Sequence, residues 1–377
     1  MKRFLAAILC AALLVLPAAA VSGAPETDCG SAVLMEKETG TVLYEHNAHD
    51  KLEPASVTKV MTLLLVMEAI DSGRMKLDDM VSVSAYAASM GGSQVYLKEG
   101  EQMSVDDMLK AVAVVSGNDA AVALAEHLAG SESAFVERMN QRAHELGMED
   151  TNFVNCTGLP AAGHLTSAYD IALMSRELIL NHPDIRKYTT IWMDSIRGGA
   201  FQLANTNKLI RFYEGATGLK TGSTDGALYC LSATAERDGM ELIATVMKGP
   251  TSDKRFESAK SMLTFGFANY TLLDVYPDEA LPPVEVALGE QAQIQPVLSQ
   301  SGRILIDKAQ VNDVTTEIQL TDRVEAPVEQ GQKLGEMIVR VGGETQQVIP
   351  LVADQAVERL TFPGIFVKFI KGLCMAG

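Results

Sequence analysis

Two hydrophobic periods divide this chain into two regions. Residues 25–274 combine short alternating runs, typical of strands, with longer apolar stretches at helical spacing. Pro277, Pro282 and Pro283 then interrupt the pattern, and only short alternating runs follow them. The pattern predicts an α+β domain over residues 25–274 and a small all-β domain over residues 278–355.

The first region begins and ends with a predicted β-hairpin. Residues 32–35 pair with residues 41–44, and residues 227–235 pair with residues 240–247. Between the hairpins, residues 57–70 are apolar on nearly every side, which indicates a buried helix. Because further helical stretches follow it, we expect one antiparallel sheet covered by helices, with a helical lobe inserted.

Residues 1–24 have the anatomy of a signal peptide. Lys2 and Arg3 precede an apolar run over residues 4–16, and small residues flank a cleavage position after Ala20. The alternative is a membrane anchor, but the run is too short to span a bilayer and no stop-transfer pattern follows. We therefore expect a mature protein outside the cytoplasmic membrane.

The other end of the chain, residues 362–377, predicts an amphipathic helix. At about 100° per residue, its apolar side chains share one side, while Lys368 and Lys371 fall on the other. The apolar set is Ile365, Phe366, Phe369, Ile370 and Leu373. The segment is too short to span a bilayer. We expect peripheral association with the outer face of the cytoplasmic membrane, and packing on the β domain is the alternative.

Charge and residue types exclude several functions. Loss of the leader takes the formal charge from −17 to −19, and no basic stripe is present, so nucleic acid is not an expected partner. The histidines and cysteines follow no zinc-binding spacing, and no glycine-rich phosphate loop occurs, so no metal or cofactor is predicted. Cys156 and Cys230 offer a disulfide, although free buried thiols are the favoured interpretation.

Three short motifs occur in one order along the first region. They are Ser56-Val57-Thr58-Lys59, Ser116-Gly117-Asn118 and Lys220-Thr221-Gly222, and their first residues are 60 and 104 residues apart. Each match alone is weak, since such pairs are commonly solvated helix faces. Together they supply a hydroxyl, an amine, a second hydroxyl, an amide and a second cation, which are the groups that serine acyl transfer needs.

The first motif provides a nucleophile and a base. Ser56 opens the predicted buried helix, where free backbone N–H groups favour developing negative charge. Lys59 lies one turn later on the same face. We expect its burial and a nearby cation to lower its pKa, so that the neutral amine takes the Ser56 proton. The alternatives are that Ser56 is only a helix N-cap and that Lys59 is a surface lysine.

The other two motifs predict proton transfer and substrate binding. Gly117 is expected to permit a sharp turn that aims Ser116 and Asn118 into a cleft, with an ordinary loop as the alternative. Gly222 is expected to let a substrate backbone approach the strand that carries Lys220.

The Lys220 cation is expected to hold a substrate carboxylate. Thr221 lies beside Lys220, and Arg255 is a candidate second ligand for a substrate carboxylate. A surface arginine is the alternative for Arg255.

At these residues the chain resembles the low-molecular-mass penicillin-binding proteins that are serine-type D-alanyl-D-alanine carboxypeptidases. The resemblance covers nearly the whole mature chain. It rests on the three motifs and on Pro54-Ala55, Gly92-Ser93-Gln94, Leu97-Lys98-Glu99-Gly100-Glu101, Gly163-His164, Thr166-Ser167-Ala168-Tyr169-Asp170 and Asn205-Thr206-Asn207.

The resemblance implies a mechanism and a substrate. Ser56 would attack the bond between the two terminal D-alanines of a peptidoglycan stem pentapeptide, and Ser116 would relay the proton to the leaving group. The backbone N–H groups of Ser56 and Ser223 would form the oxyanion hole. The terminal carboxylate would be bound by Lys220, Thr221 and Arg255. β-Lactam antibiotics would acylate Ser56, and Asn118 would bind a substrate amide.

Three other functions stay open at this point. A serine β-lactamase needs a water-activating glutamate, and Glu177 lies within a predicted helix where it is poorly placed. A DD-endopeptidase is barely separated from a carboxypeptidase by these motifs. A catalytically inactive penicillin-sensing protein would not require both Ser56 and Lys59.

Overall fold

The computed structural model describes residues 23–277 and 279–364. The predicted signal peptide up to residue 22 and the predicted C-terminal helix from Ile365 onward lie outside these residues, and both stay predictions. Within the described ranges, no helix has the length and apolar character that crossing a membrane requires.

The first region alternates strands and helices. Its strands are β1 Ser31–Glu36, β2 Val42–His46, β3 Met80–Ser82, β4 Gln102–Ser104, β5 Met193–Ile196, β6 Phe201–Ala204, β7 Ala216–Thr224, β8 Leu228–Arg237, β9 Met240–Gly249 and β10 Tyr270–Asp274. Its α-helices are α1 Lys59–Asp71, α2 Ala85–Ala88, α3 Val105–Val115, α4 Asn118–Ala129, α5 Glu132–Glu145, α6 Ala168–Asn181, α7 Arg186–Thr189, α8 Leu209–Phe212 and α9 Ser252–Asn269. Short 3₁₀ turns occupy Ala55–Thr58, Pro183–Ile185 and Arg197–Gly199.

A five-stranded antiparallel sheet in the order β2-β1-β9-β8-β7 forms the centre of this region. Both faces are covered, and neighbouring residues of β1 therefore enter different cores. Val33 packs with the helices around α1, while Leu34 packs on the other face with α9. Both predicted hairpins are confirmed, since β1 pairs with β2 and β8 pairs with β9.

The helix α1 is buried along almost its whole length, as its sequence predicts. Val60, Met61, Leu63 and Leu64 are each 0% exposed. α1 packs against α6, α3 and α4, and the last two belong to the inserted helical lobe. A helix surrounded in this way keeps water from its first residue, Lys59, which becomes important for the chemistry below.

In the second region, residues 279–355 form strands and one 3₁₀ turn, Lys308–Asp313, with no α-helix among these described residues. Its strands are β11 Val284–Ala287, β12 Gln293–Ile294, β13 Pro296–Leu298, β14 Arg303–Asp307, β15 Val314–Leu320, β16 Arg323–Glu325, β17 Lys333–Val341 and β18 Glu344–Ala353. All of them except β14 form a four-stranded sheet in the order β13-β18-β17-β15 and a smaller three-stranded sheet in the order β12-β11-β16.

The two regions meet through backbone pairing. β10, which ends the first region, pairs with β14 of the second. Arg303 on β14 reinforces the junction, since its Nε donates to Asp274 at 2.8 Å and its Nη1 to Glu38 at 3.1 Å. The pattern of apolar residues did not predict this pairing, because β10 continues directly from α9 without a turn signal.

Candidate active site

The serine of the first motif lies on a 3₁₀ turn, Ala55–Thr58, here called the serine turn. The sequence placed Ser56 at the start of the α-helix, whereas α1 begins at Lys59. Ser56 is half-buried and Lys59 is 0% exposed. The tighter turn lets the hydroxyl reach the cleft while the lysine stays in the core.

Three acceptors surround the Lys59 amine. Its Nζ lies 3.1 Å from Ser56 Oγ, 2.6 Å from Asn118 Oδ1 and 2.7 Å from the Thr157 carbonyl oxygen. The last two oxygens can only accept hydrogen bonds. In the neutral amine they take its two N–H groups, and the lone pair is left facing the Ser56 hydroxyl.

The pKa values of both site lysines are lowered. Burial lowers the pKa of Lys59 to about 7, although the negative charge of Asp119 opposes this shift. Burial also lowers the pKa of Lys220, and repulsion from Lys59 and Arg255 lowers it further. A neutral Lys59 is therefore well populated near pH 7, as a general base requires.

The second motif joins α3 to α4, but a different residue makes the turn. Ser116 adopts the left-handed conformation with φ +65°, whereas Gly117 has φ −55°. The expectation that Gly117 supplies the sharp turn is therefore wrong. A side chain at Gly117 would come within 3.1 Å of Asp119 Oδ1, so that carboxylate would have to shift by a few tenths of an ångström.

Ser116 and Asn118 differ in how many hydrogen bonds their side chains make. Ser116 is 4% exposed, and its Oγ has no hydrogen-bond partner among the described residues. A buried hydroxyl without a partner is unusual and points to a group that substrate completes. Asn118 uses its Oδ1 on Lys59 and one Nδ2 hydrogen on the Gly91 carbonyl at 2.7 Å, which leaves the second hydrogen for a substrate amide.

The third motif lies on β7, against the serine turn. A side chain at Gly222 would come within 2.9 Å of Pro54 O, Ser56 N and Val57 N. The close approach predicted at Gly222 exists. In the direction in which a side chain would point, however, the space is filled by the serine turn and not by a substrate. Glycine is required here so that β7 and Ser56 can be neighbours.

The residues around Gly222 hold the strand's polar groups in place. Lys220 is 1% exposed, and its Nζ donates to the Thr221 carbonyl at 2.9 Å. The Thr221 hydroxyl contacts the Thr206 hydroxyl at 2.7 Å. Ser223, which follows Gly222, is exposed.

Arg255 reaches this strand from α9 and is not a surface residue. It is 7% exposed, and its Nη1 donates to the carbonyls of Gly222 at 3.0 Å and Cys230 at 3.3 Å. Its guanidinium also lies over the rings of Tyr229 and Phe256. Its Nε is buried and has no hydrogen-bond partner among the described residues, so the cation retains donor capacity beside β7.

Sequence reasoning missed the contributions of Thr157 and Thr206. Thr157 acts through a backbone carbonyl, which leaves no signal in residue type. Thr206 had a signal, since it lies within one of the stretches that carry the resemblance, but nothing in the sequence connects it to Thr221.

No other constellation in the described part of the chain competes with this one. Glu68, Glu177 and His182 lie close enough to hold a metal ion. Arg142 already pairs with both carboxylates, with Nε 2.7 Å from Glu68 and Nη2 2.5 Å from Glu177, and His182 pairs with Asp71. Glu177 lies on α6, as its helical pattern predicted, and it is engaged in an ion pair with Arg142. Cys29, Cys156 and Cys230 are free thiols.

Family models match both regions of the chain. Residues 18–251 match the model described as D-alanyl-D-alanine carboxypeptidase, and residues 274–359 match that of the penicillin-binding protein 5 C-terminal domain. The D-alanyl-D-alanine carboxypeptidase DacF of Bacillus subtilis is 43% identical and covers 90% of this chain and 88% of its own length. DacC of Escherichia coli is 34% identical, with 92% and 88% covered.

Solved structures agree with the sequence matches. Penicillin-binding protein 5 from Haemophilus influenzae superimposes with a TM-score of 0.80 at 30% identity, covering 89% of this chain and 99% of its own. Penicillin-binding protein D2 from Listeria monocytogenes, in its ampicillin-bound form, superimposes with a TM-score of 0.59 at 34% identity, covering 64% and 98%.

A covered antiparallel sheet with a serine and a buried lysine beside its edge strand β7 is the arrangement of a penicillin-binding type of serine hydrolase. The chain belongs to the family of serine-type D-alanyl-D-alanine carboxypeptidases. The predicted enzyme class is thereby confirmed, together with the α+β fold and its C-terminal all-β domain. The β-lactamase, endopeptidase and silent-sensor alternatives gain no support.

Proposed function

We propose that Ser56 is the nucleophile and Lys59 the general base for removal of the terminal D-alanine from peptidoglycan stem pentapeptides. The contact of 3.1 Å between Lys59 Nζ and Ser56 Oγ, made by an amine of lowered pKa, carries this assignment. Ser56 Oγ attacks the carbonyl carbon between the two D-alanines, and its proton passes to Lys59.

Ser116 then serves the leaving group. Its Oγ has no hydrogen-bond partner among the described residues, and it donates a proton to the nitrogen of the departing D-alanine. Ser116 then recovers a proton from Lys59. The carbon–nitrogen bond breaks, and an ester on Ser56 remains. Water attacks this ester with Lys59 again as base, which releases the tetrapeptide and regenerates Ser56.

The oxyanion is assigned to the backbone N–H groups of Ser56 and Ser223. Support comes from the close packing of Gly222 on the serine turn, which brings the two backbone segments together. Fixed donors at the developing negative charge are commonly the largest single contribution to catalysis.

The substrate carboxylate is assigned to Lys220, Thr221 and Arg255. Two buried cations next to one strand repel each other, and an anion between them relieves that repulsion. The same arrangement suits β-lactam antibiotics, which carry a carboxylate beside a reactive carbonyl. We therefore propose covalent β-lactam binding at Ser56.

We also propose that the enzyme works outside the cell membrane and rests on its outer face. The signal peptide over residues 1–24 and the amphipathic segment 362–377 support this location. Phe362, the first residue of that segment and a described one, is 85% exposed. An exposed phenylalanine at this position is consistent with a neighbouring apolar surface such as a bilayer.

A fluorescent penicillin is expected to label the protein at Ser56. Ser56→Ala should abolish labelling while preserving the thermal unfolding temperature, because the hydroxyl makes a single contact in the structure. Ser89→Ala, which changes an exposed serine outside the site, is the matched control and should label fully. Persistent labelling of Ser56→Ala, or an adduct mapped to Ser116 by mass spectrometry, contradicts the assignment.

Arg255→Ala is expected to lower kcat/KM on the pentapeptide by about ten- to a hundred-fold, since a hydrogen bond to a charged group contributes about 1.5–3 kcal/mol. A substrate with an amidated C-terminus should lose much less. Lys254→Ala, its exposed neighbour, should change neither value. Equal losses on both substrates would show that Arg255 supports the strand and does not bind the carboxylate.

Deletion of residues 362–377 is expected to move the mature protein from the membrane fraction to the soluble fraction. Pentapeptide hydrolysis in solution should stay near its full rate, because the deleted segment is remote in sequence from every site residue. Sedimentation of the truncated protein with membranes would place the anchor elsewhere, most plainly in an uncleaved leader.

A further inference from the structure

The serine turn has an unusual backbone that something must hold. Ala55 adopts the left-handed conformation with φ +47°, which is unfavourable for a residue with a side chain. Its carbonyl packs directly on Gly158, where a Cβ atom would lie 1.9 Å from the oxygen. The position of Ser56 therefore depends on the groups that bind this turn.

His164, a residue outside the three motifs, binds the serine turn from the core through the hydroxyl of Thr58. The Thr58 hydroxyl lies 2.8 Å from the Ala55 carbonyl oxygen, to which it donates. His164 Nε2 lies 2.8 Å from the same hydroxyl. His164 is 2% exposed, and no step of the proposed reaction uses it.

The hydrogen bonds determine which ring nitrogen carries the proton. The backbone N–H of Val154 donates to His164 Nδ1 at 2.9 Å, so Nδ1 has no hydrogen. Nε2 must then carry the proton and donate it to Thr58, whose own proton goes to Ala55. Each group in this series of hydrogen bonds donates to the next, and only the neutral imidazole allows all of these bonds to form.

The second partner of His164 belongs to the segment that holds the base. Residues 154–158, here called the lysine segment, include Thr157, whose carbonyl accepts the hydrogen bond from Lys59 Nζ. The Asn155 side chain stiffens this segment by accepting from the N–H groups of Thr157 and Gly158. His164 thus touches the serine turn on one side and the lysine segment on the other.

The surroundings keep the ring neutral. Burial lowers the pKa of His164 to about 4, and the charge of Glu132 opposes this shift. A protonated ring would turn a second N–H toward the Val154 N–H and break that hydrogen bond. At neutral pH the bridge is therefore intact.

We propose that His164 is a positioning residue for acylation: it bridges the serine turn and the lysine segment, and so sets the geometry of the Ser56–Lys59 pair. The proposal rests on Ser56 and Lys59 as nucleophile and base. A displacement of about 1 Å between reacting groups costs up to about 10²-fold in rate. Loss of the bridge should therefore slow acylation without weakening carboxylate binding, because Lys220 and Arg255 do not touch it.

Acylation by penicillin, measured per titrated active site, tests the bridge. Thr58→Val removes the hydroxyl and His164→Gln replaces two ring nitrogens by one amide. Each should lower the acylation rate per site by about 10-fold or more, with pentapeptide KM changed less than kcat. Thr58→Ser should recover most of the rate lost in Thr58→Val. The acylation rate of the double variant should be little lower than that of the slower single variant, because both substitutions break the same series of hydrogen bonds.

Thr245→Val is the matched control for a lost buried hydroxyl. Thr245 is 0% exposed and donates to the Ala168 carbonyl at 2.9 Å, away from both segments. It should lose stability while keeping its rate per site. A wild-type rate per site in Thr58→Val and His164→Gln, or multiplicative losses in the double variant, overturns the bridge. Labelling that persists in Ser56→Ala would instead overturn the proposed function itself.

Discussion

The chemistry of this site depends on one amine that has been removed from water. Lys59 is 0% exposed, and burial lowers its pKa to about 7. An ammonium in this position is costly because little solvent stabilises its charge. The protein compensates in part with the Asn118 and Thr157 oxygens, which suit a neutral amine equally well. Proton transfer to and from Lys59 therefore requires little rearrangement.

Much of the surrounding fold follows from the need to bury this lysine while keeping its serine partner accessible. The helix α1 is enclosed by the sheet on one side and by α3, α4 and α6 on the others. The serine turn projects from the end of that helix and contacts β7 at Gly222 and the lysine segment at Gly158. Two glycines thus let three separate chain segments pack closely together at the turn that carries Ser56.

Sequence patterns were sufficient for the parts of the molecule that rest on local rules. The hairpins, the buried helix and the pairing of Ser56 with Lys59 follow from hydrophobic period and helical spacing. Features that depend on tertiary contact were not accessible in this way. The left-handed Ser116, the β10–β14 pairing and the carbonyl of Thr157 carry no signature in residue type. Gly222 was found, but its neighbour could not be identified without the fold.

The pH dependence of Ser56 acylation is the most direct test of the central claim. Only the neutral Lys59 amine can take the serine proton, so the acylation rate with penicillin should rise with pH and level off above an apparent pKa of about 7. The measurement requires rapid mixing over pH 5–9, with thermal unfolding at each pH as a check on the fold. A rate that stays constant over that range, or one that continues to rise toward the ordinary pKa of lysine near 10.4, would contradict the account.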